Sequence, residues 1–99
     1  MAVHWFPLAL ERVEEIAEYI AEDNPEAAAH WVNELFNTVD RLNDFPISGR
    51  VVPETNVRHI RAVIFSAYHV IYSARERIQI LTVRHGSQLL SEDALEDET

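Results

Sequence analysis

The chain has 99 residues, which is the size of one domain, and no apolar run is long enough to cross a bilayer. It has no cysteine, which excludes a disulfide scaffold, a thiolate metal site and a thiol nucleophile. The formal net charge is −9, from 17 acidic residues and eight arginines, and this sign disfavours non-specific nucleic-acid binding. The N-terminus lacks the basic and apolar regions of a secretory signal, so we expect a cytoplasmic protein.

The charge is unevenly distributed along the chain. Residues 8–44 carry ten acids and two arginines, whereas residues 45–91 carry six arginines and two acids, a net charge of +4. Residues 92–99 add five acids and no basic residue. The middle segment is therefore basic on its own, and the total charge does not decide the partner.

The first half of the chain predicts a short strand followed by two helices. Val3–Phe6 is apolar and has the composition of a strand. From Leu8 onward, apolar residues recur at three- and four-residue steps between glutamates, which predicts a helix. Asn24-Pro25 ends it and begins a second helix, because asparagine caps helix N-termini and proline is tolerated at the first helical position. The second helix should run to about Asn43, with one apolar stripe formed by Ala28, Trp31, Leu35, Val39 and Leu42.

The second half predicts a loop and three strands. Phe45–Arg50 contains a proline and a glycine and is predicted to be a loop. Arg58–Phe65, Tyr68–Ala74 and Ile78–His85 are rich in β-branched and aromatic residues, and their short connections favour an antiparallel meander. The expected fold class is α+β, a helical hairpin packed on a small antiparallel sheet made of the N-terminal strand and the meander.

Alternation along the strands predicts which side chains lie under the helices. The predicted core face consists of Ile60, Ala62, Ile64, Val70, Tyr72, Ile78 and Ile80. The other face is predicted to be open and mixed, with His59, Arg61, His69, Ser73, Gln79 and His85 among Val63, Phe65, Ile71, Leu81 and Val83. A β-bulge would shift this assignment.

Six short stretches carry a family resemblance through their order and spacing. They are Tyr19-Ile20-Ala21, Asn24-Pro25 with Ala27-Ala28, Gly49-Arg50-Val51-Val52-Pro53-Glu54, Ile60-Arg61, Tyr68-His69-Val70-Ile71-Tyr72 and Val83-Arg84-His85-Gly86. Together they resemble the RelE/ParE superfamily of bacterial type II toxin–antitoxin toxins over roughly residues 3–90. The long hairpin and the Gly-Arg-Val-Val-Pro-Glu signature are closer to ParE-type members. We expect one toxin domain at 1–90 and an acidic tail at 91–99.

The resemblance implies a toxin that is neutralised by a cognate antitoxin. ParE-type members act on DNA gyrase, whereas RelE-type members cleave mRNA in the ribosomal A site, and the shared fold does not choose between them. We predict gyrase inhibition by protein binding, without a cofactor, a metal or a membrane, and with DNA reached only through the antitoxin. The alternatives are a ribosome-dependent mRNA interferase and a non-toxic antitoxin-binding module.

The alternative of RNA cleavage has three candidate catalytic residues. Metal-free cleavage needs a base, a cation and an acid, and some RelE-type enzymes use Glu, Arg and His where this chain has Glu54, Arg61 and His85. Each also has a structural explanation, as a surface ion pair, a structural cation and a strand-end histidine. Gly86 stands where interferases often place an aromatic residue, and the charge of −9 would oppose docking on rRNA.

The residues predicted to contact the antitoxin or the target are mostly basic or aromatic. They are Trp31, Arg50, Arg58, Arg61, His69, Arg84 and His85. The five histidines lack the spacing of metal ligands, so no metal site is expected. The acidic tail allows two hypotheses, an internal mimic of the antitoxin on the arginine-bearing face or a disordered solubilising end.

Overall fold

The computed structural model describes residues 3–52 and 59–86 as two helices on one face of a five-stranded sheet. The predicted α+β fold class is confirmed. The elements in chain order are β1 (His4–Trp5), α1 (Pro7–Asp23), α2 (Pro25–Asp44), β2 (Arg50–Val51), β3 (Ile60–Phe65), β4 (Tyr68–Ala74) and β5 (Ile78–His85). Neither helix is long and apolar enough to span a membrane.

A single asparagine separates the two helices. The backbone N–H of Asn24 donates to the Ile20 carbonyl and closes α1, while its side-chain oxygen accepts from the Ala27 N–H at 3.1 Å and begins α2. Pro25 occupies the first position of α2, where a helix needs no N–H donor. The predicted boundary at Asn24-Pro25 is confirmed, and it turns the chain back on itself within one residue.

The sheet has the order β1-β5-β4-β3-β2. Strands β3, β4 and β5 form the predicted antiparallel meander. Strand β1 pairs with β5 in parallel, so the sheet is mixed rather than purely antiparallel. Strand β2 is an edge strand that begins within the predicted loop, and its pairing of Arg50 with Ala62 and of Val51 with Arg61 extends the sheet by two residues. So short a strand has no alternation that a sequence pattern reveals.

The core lies between the helices and one face of the sheet. The apolar stripe predicted for α2 is buried, from Ala28 to Leu42. On the sheet side the fully buried members are Val70, Tyr72, Ile78, Ile80 and Val83. Four of these, all but Val83, were predicted on this face.

The predicted face of β3 is wrong. Val63 pairs with Val70 and Phe65 pairs with Tyr68, so these side chains face the helices. Ile60, Ala62 and Ile64 consequently face away, and Ile64 is 63% exposed. Both faces of this strand carry apolar side chains, so alternation alone gives no phase.

A register shift in β5 explains the remaining errors of face. Ile71 pairs with Thr82 but Tyr72 pairs with Ile80, which leaves Leu81 as an extra residue. A bulge of this kind reverses the side-chain phase of every residue that follows it. Val83 and His85 therefore lie on the helix side of the sheet and not on the open one. Arg61 also lies on the helix side, because it pairs with Tyr72.

Candidate functional site

The sheet face away from the helices, called the open face here, is formed by three cross-strand rows. The rows are Ile64–His69–Arg84, Arg50–Ala62–Ile71–Thr82 and Ile60–Ser73–Gln79. Of the residues predicted to contact the antitoxin or target, Arg50, His69 and Arg84 belong to these rows, and Arg84 also borders a cleft beside α1.

The open face continues into a polar cleft at the β4–β5 turn. This cleft has a volume of about 460 Å³ and is lined by His59, Ser73, Arg75, Glu76, Arg77 and Gln79. Within the part of the chain after Asp44 that the structure describes, Glu76 is the sole acidic residue. All ten acids of residues 8–44 lie on α1 and α2. The molecule therefore has an acidic helical layer and a basic sheet.

Aromatic rings cluster at the other end of the meander, on the helix side. Trp31 contacts Phe65 and Tyr68, with ring centroids 5.7 and 5.4 Å apart, and Tyr68 in turn meets the His85 ring at 5.4 Å. Trp31 is buried and His85 is exposed. The Nε1 donor of Trp31 is buried without a hydrogen-bond partner. Trp31 is therefore mainly a core residue that supports Tyr68 beneath His85.

A cleft of about 230 Å³ lies beside His85, between α1 and the end of β5. Its lining residues are Arg12, Glu15, Ile16, Tyr68, Val83, Arg84 and His85. Arg12 Nη1 lies 3.3 Å from Glu15 Oε2, which places an ion pair in its wall. The cleft can receive a small polar or anionic group.

Arg61 and Tyr72 hold the loop that precedes β2. Arg61 Nη1 donates to the Gly49 carbonyl at 2.8 Å and to the Ile47 carbonyl at 3.4 Å. The Tyr72 hydroxyl donates to the Pro46 carbonyl and accepts from the Gly49 N–H, both at 2.9 Å. The guanidinium of Arg61 thus lies against the backbone of this loop.

Gly49 begins the Gly-Arg-Val-Val-Pro-Glu signature because a side chain does not fit there. A Cβ at this position would lie 2.6 Å from the Tyr72 hydroxyl and 2.7 Å from the Ala62 carbonyl oxygen. Both distances are far below van der Waals contact, and the second involves backbone. The glycine lets the loop approach the sheet closely enough for both hydrogen bonds of Tyr72.

The structure does not bring Arg61 and His85 together. Arg61 pairs with Tyr72, and His85 pairs with Tyr68, four residues away along β4. With usual strand rise and spacing, two strands and four residues separate their Cα atoms by about 16 Å. Glu54 and Arg58 lie outside the described residues. Within residues 3–52 and 59–86, no three histidine or carboxylate side chains are grouped to hold a metal ion.

Sequence reasoning missed several residues that line these surfaces. Tyr68 and Arg12 reach the cleft beside His85, and Arg75 and Arg77 reach the cleft of the β4–β5 turn. Tyr68 follows the two-residue turn Ser66-Ala67, which signals its place at the start of β4, although its pairing with His85 depends on the extra residue Leu81 in β5. Arg12 had no such signal, since its position depends on how α1 packs on β5.

The hairpin itself has a groove along the α1–α2 seam. This groove is open and apolar, with a volume of about 440 Å³, and it is lined by Ala17, Glu18, Ala21, Ala28, Ala29, Val32 and Asn33. Its alanines leave room for the side chains of another polypeptide. Trp31 is buried in the core and is not among the lining residues of this groove.

Comparisons with known proteins give matches of a consistent kind. Residues 3–90 match the profile of the family described as ParE toxin of type II toxin-antitoxin system, parDE. The chain is 34% identical over 88 residues to the toxin candidate Y4kP of Sinorhizobium fredii (strain NBRC 101917 / NGR234), covering 87% of this chain and 88% of that protein. It resembles a solved structure of the chromosomal ParDE TA system from P. aeruginosa with a TM-score of 0.70 and 21% identity, over 86% of this chain and 95% of the other. The last match concerns the fold alone.

Proposed function

The chain belongs to the ParE toxin family of type II toxin–antitoxin systems, and from this membership we propose that it arrests bacterial growth by binding DNA gyrase. Membership implies an antitoxin partner. In our proposal a cognate antitoxin neutralises the toxin in the cytoplasm, and inhibition of gyrase requires no catalytic step.

The position of Arg61 is the observation that carries the choice of a non-catalytic toxin. Its guanidinium donates to the Gly49 and Ile47 carbonyls, so it braces a loop on the helix side of the sheet. A cation that stabilises a cleavage transition state must face the reacting phosphate together with the acid. The Cα atoms of Arg61 and His85 are about 16 Å apart by strand geometry, and this separation supports the non-catalytic proposal.

Charge separation supports the proposed position of the antitoxin. The sheet presents Arg50 and His69 on its open face, whereas the helices carry the acids. An acidic segment of a partner is attracted to the open face and repelled by the helical layer. The apolar groove of the hairpin offers a second contact for a helix of the same partner.

A supercoiling assay with purified protein tests the gyrase proposal. We expect dose-dependent inhibition of gyrase and an induced DNA-damage response on expression, relieved by a resistant gyrase. His85→Ala should inhibit to within about twofold of the unchanged chain, because a residue that does no chemistry contributes little to binding when it lies at an exposed edge. His30→Ala, an exposed histidine on α2, is the matched control.

The mRNA interferase is the second candidate, and the cleft beside His85 favours it. Arg12, Tyr68 and Arg84 line this cleft with the histidine, which is a composition suited to a phosphate and a base. Codon-positioned cleavage of translated mRNA, lost in His85→Ala and kept in His30→Ala, would contradict the gyrase proposal. Growth without any defect would contradict both and leave an antitoxin-binding module.

A further inference from the structure

Three side chains are buried on the open face, although the helices pack on the other face of the sheet. Ile71 is 0% exposed, Thr82 1% and Ser73 6%. The cross-strand neighbours of Ile71 are Ala62 and Thr82, both too small to bury an isoleucine by themselves. Burial this complete in the centre of a sheet face requires a covering layer.

The chain continues for 13 residues beyond Gly86, and it leaves the sheet beside this face. The Gly86 N–H donates to the Ala67 carbonyl at 2.7 Å, and a Cβ on Gly86 would lie 3.3 Å from His69 Nε2. His69 is an open-face residue. Residues 87–99 therefore start at the end of the two central strands, next to the open face.

The length and pattern of residues 87–99 fit a path back along β5. An extended chain covers at most ~3.3–3.6 Å per residue, so three or four residues reach the Ile71–Thr82 row. The residues at that distance are Leu89 and Leu90. Ten or more residues reach the β4–β5 turn, where Glu96–Glu98 would meet Arg75 and Arg77.

Charge complementarity also favours a path of residues 87–99 across the open face. Residues 92–99 contain five acids and no basic residue. The helical layer carries ten acids and would repel this segment, whereas the open face and its turn present Arg50, Arg75 and Arg77 with one acid, Glu76, among the described residues.

We propose that residues 87–99 dock across the open face, with Leu89 and Leu90 over Ile71 and the acidic end towards Arg75 and Arg77. Docked there, the segment occupies the surface on which an acidic antitoxin segment binds. The competition rests on the proposed function, whereas the docking itself concerns this chain alone. The toxin then carries its own weak competitor, which the antitoxin displaces.

A spin label tests the docking without gyrase or antitoxin. The chain has no native cysteine, so Asp97→Cys gives a single site for a nitroxide. We expect methyl NMR signals of Ile60 and Ile71 to broaden far more than those of Leu10 and Val13 on α1, and 0.5 M NaCl to reduce the effect at Ile60. Equal broadening of both groups, or broadening of neither, would overturn the docking. Absence of any effect would assign the cover of Ile71 to residues 53–58.

A matched pair of charge variants tests the competition. The tail variant combines Glu92→Gln, Asp93→Asn, Glu96→Gln, Asp97→Asn and Glu98→Gln. The control makes the same change of five charges on the helices, at Glu11, Glu14, Glu18, Glu22 and Glu34. We expect the tail variant to bind the co-expressed antitoxin several-fold more tightly and the control to gain less than twofold. Equal affinities of the two variants would overturn the competition and leave the docking result standing.

Discussion

At the scale of residues, one hydroxyl group fixes the loop before β2. Tyr72 is completely buried, and its hydroxyl joins the Pro46 carbonyl to the Gly49 N–H across the helix side of the sheet. Arg61 holds the adjacent carbonyls. Gly49 itself is buried, so its N–H has no access to bulk water as a substitute partner. Loss of the hydroxyl would leave two polar groups of the loop unsatisfied.

Tyr72→Phe should therefore lower the free energy of unfolding by about 1–3 kcal/mol, the usual penalty for orphaned buried polar groups. Tyr19→Phe is the control, because the Tyr19 side chain is 72% exposed and its change should stay within about 0.5 kcal/mol. Urea unfolding followed by circular dichroism measures both. Equal stability of the two variants would show that the loop does not depend on the hydroxyl.

Residue roles were the least predictable level from sequence. Residue type and order singled out Arg61 and His85, but which side each faces depends on the pairing of β3 and on the bulge at Leu81. Neither the pairing of β3 nor the bulge in β5 follows from local composition. The partners of Arg61 are backbone carbonyls of a loop 12–14 positions earlier, and no side-chain pattern marks these.

At the scale of elements, Asn24 connects the two helices without any linker. It is the C-cap of α1 and the N-cap of α2, and its side chain satisfies the Ala27 N–H at the start of α2. Helix α1 therefore ends and helix α2 begins at the same residue, which fixes how the hairpin packs on the sheet. An alanine there would keep the backbone path but lose the acceptor.

Asn24→Ala should destabilise the protein by about 1 kcal/mol, the typical cost of removing an N-cap. Asn37→Ala is the control, an exposed position inside α2 where alanine has the higher helix propensity and should be neutral or slightly stabilising. Thermal unfolding of both proteins gives the comparison. A loss of thermal stability in Asn37→Ala as large as that in Asn24→Ala would mean that the N-cap hydrogen bond contributes nothing to stability.

Elements were more predictable than faces. The helix boundary at Asn24-Pro25 and the limits of β4 and β5 follow from capping chemistry and short polar turns, which are local. Strand β2 was missed, because two residues carry no periodicity. The predicted face of β3 was wrong, because both faces of this strand carry apolar side chains and the choice depends on which side the helices cover.

At the scale of the whole molecule, charge is divided between two layers. The acidic helices and the basic open face lie on opposite sides of one sheet, so a charged partner is oriented before it makes contact. The net charge of −9 hides this arrangement. The location of the charged residues, rather than the total charge, should therefore control the rate at which the antitoxin associates.

Arg50→Gln on the open face should slow association with the antitoxin several-fold at low salt, because steering depends on the local potential. Arg41→Gln removes the same charge from exposed α2 and should leave the rate unchanged or only slightly lower. Stopped-flow measurements at about 50 mM and 0.5 M NaCl compare the two, and screening should erase the difference at the higher salt. Slowing by both variants to the same extent would show that only total charge matters.

The parallel pairing of β1 with β5 has a consequence for the folding of the toxin during its synthesis on the ribosome. His4 and Trp5 pair with Gln79 and Ile80, and the Phe6 N–H donates to the Ile80 carbonyl. At ~5–20 residues per second, these partners follow about 4–15 seconds after the first strand has been made. Until then the sheet lacks β5, the strand that lies between β1 and β4. Toxicity therefore requires nearly complete synthesis, which gives antitoxin already in the cell time to meet the toxin as it finishes folding.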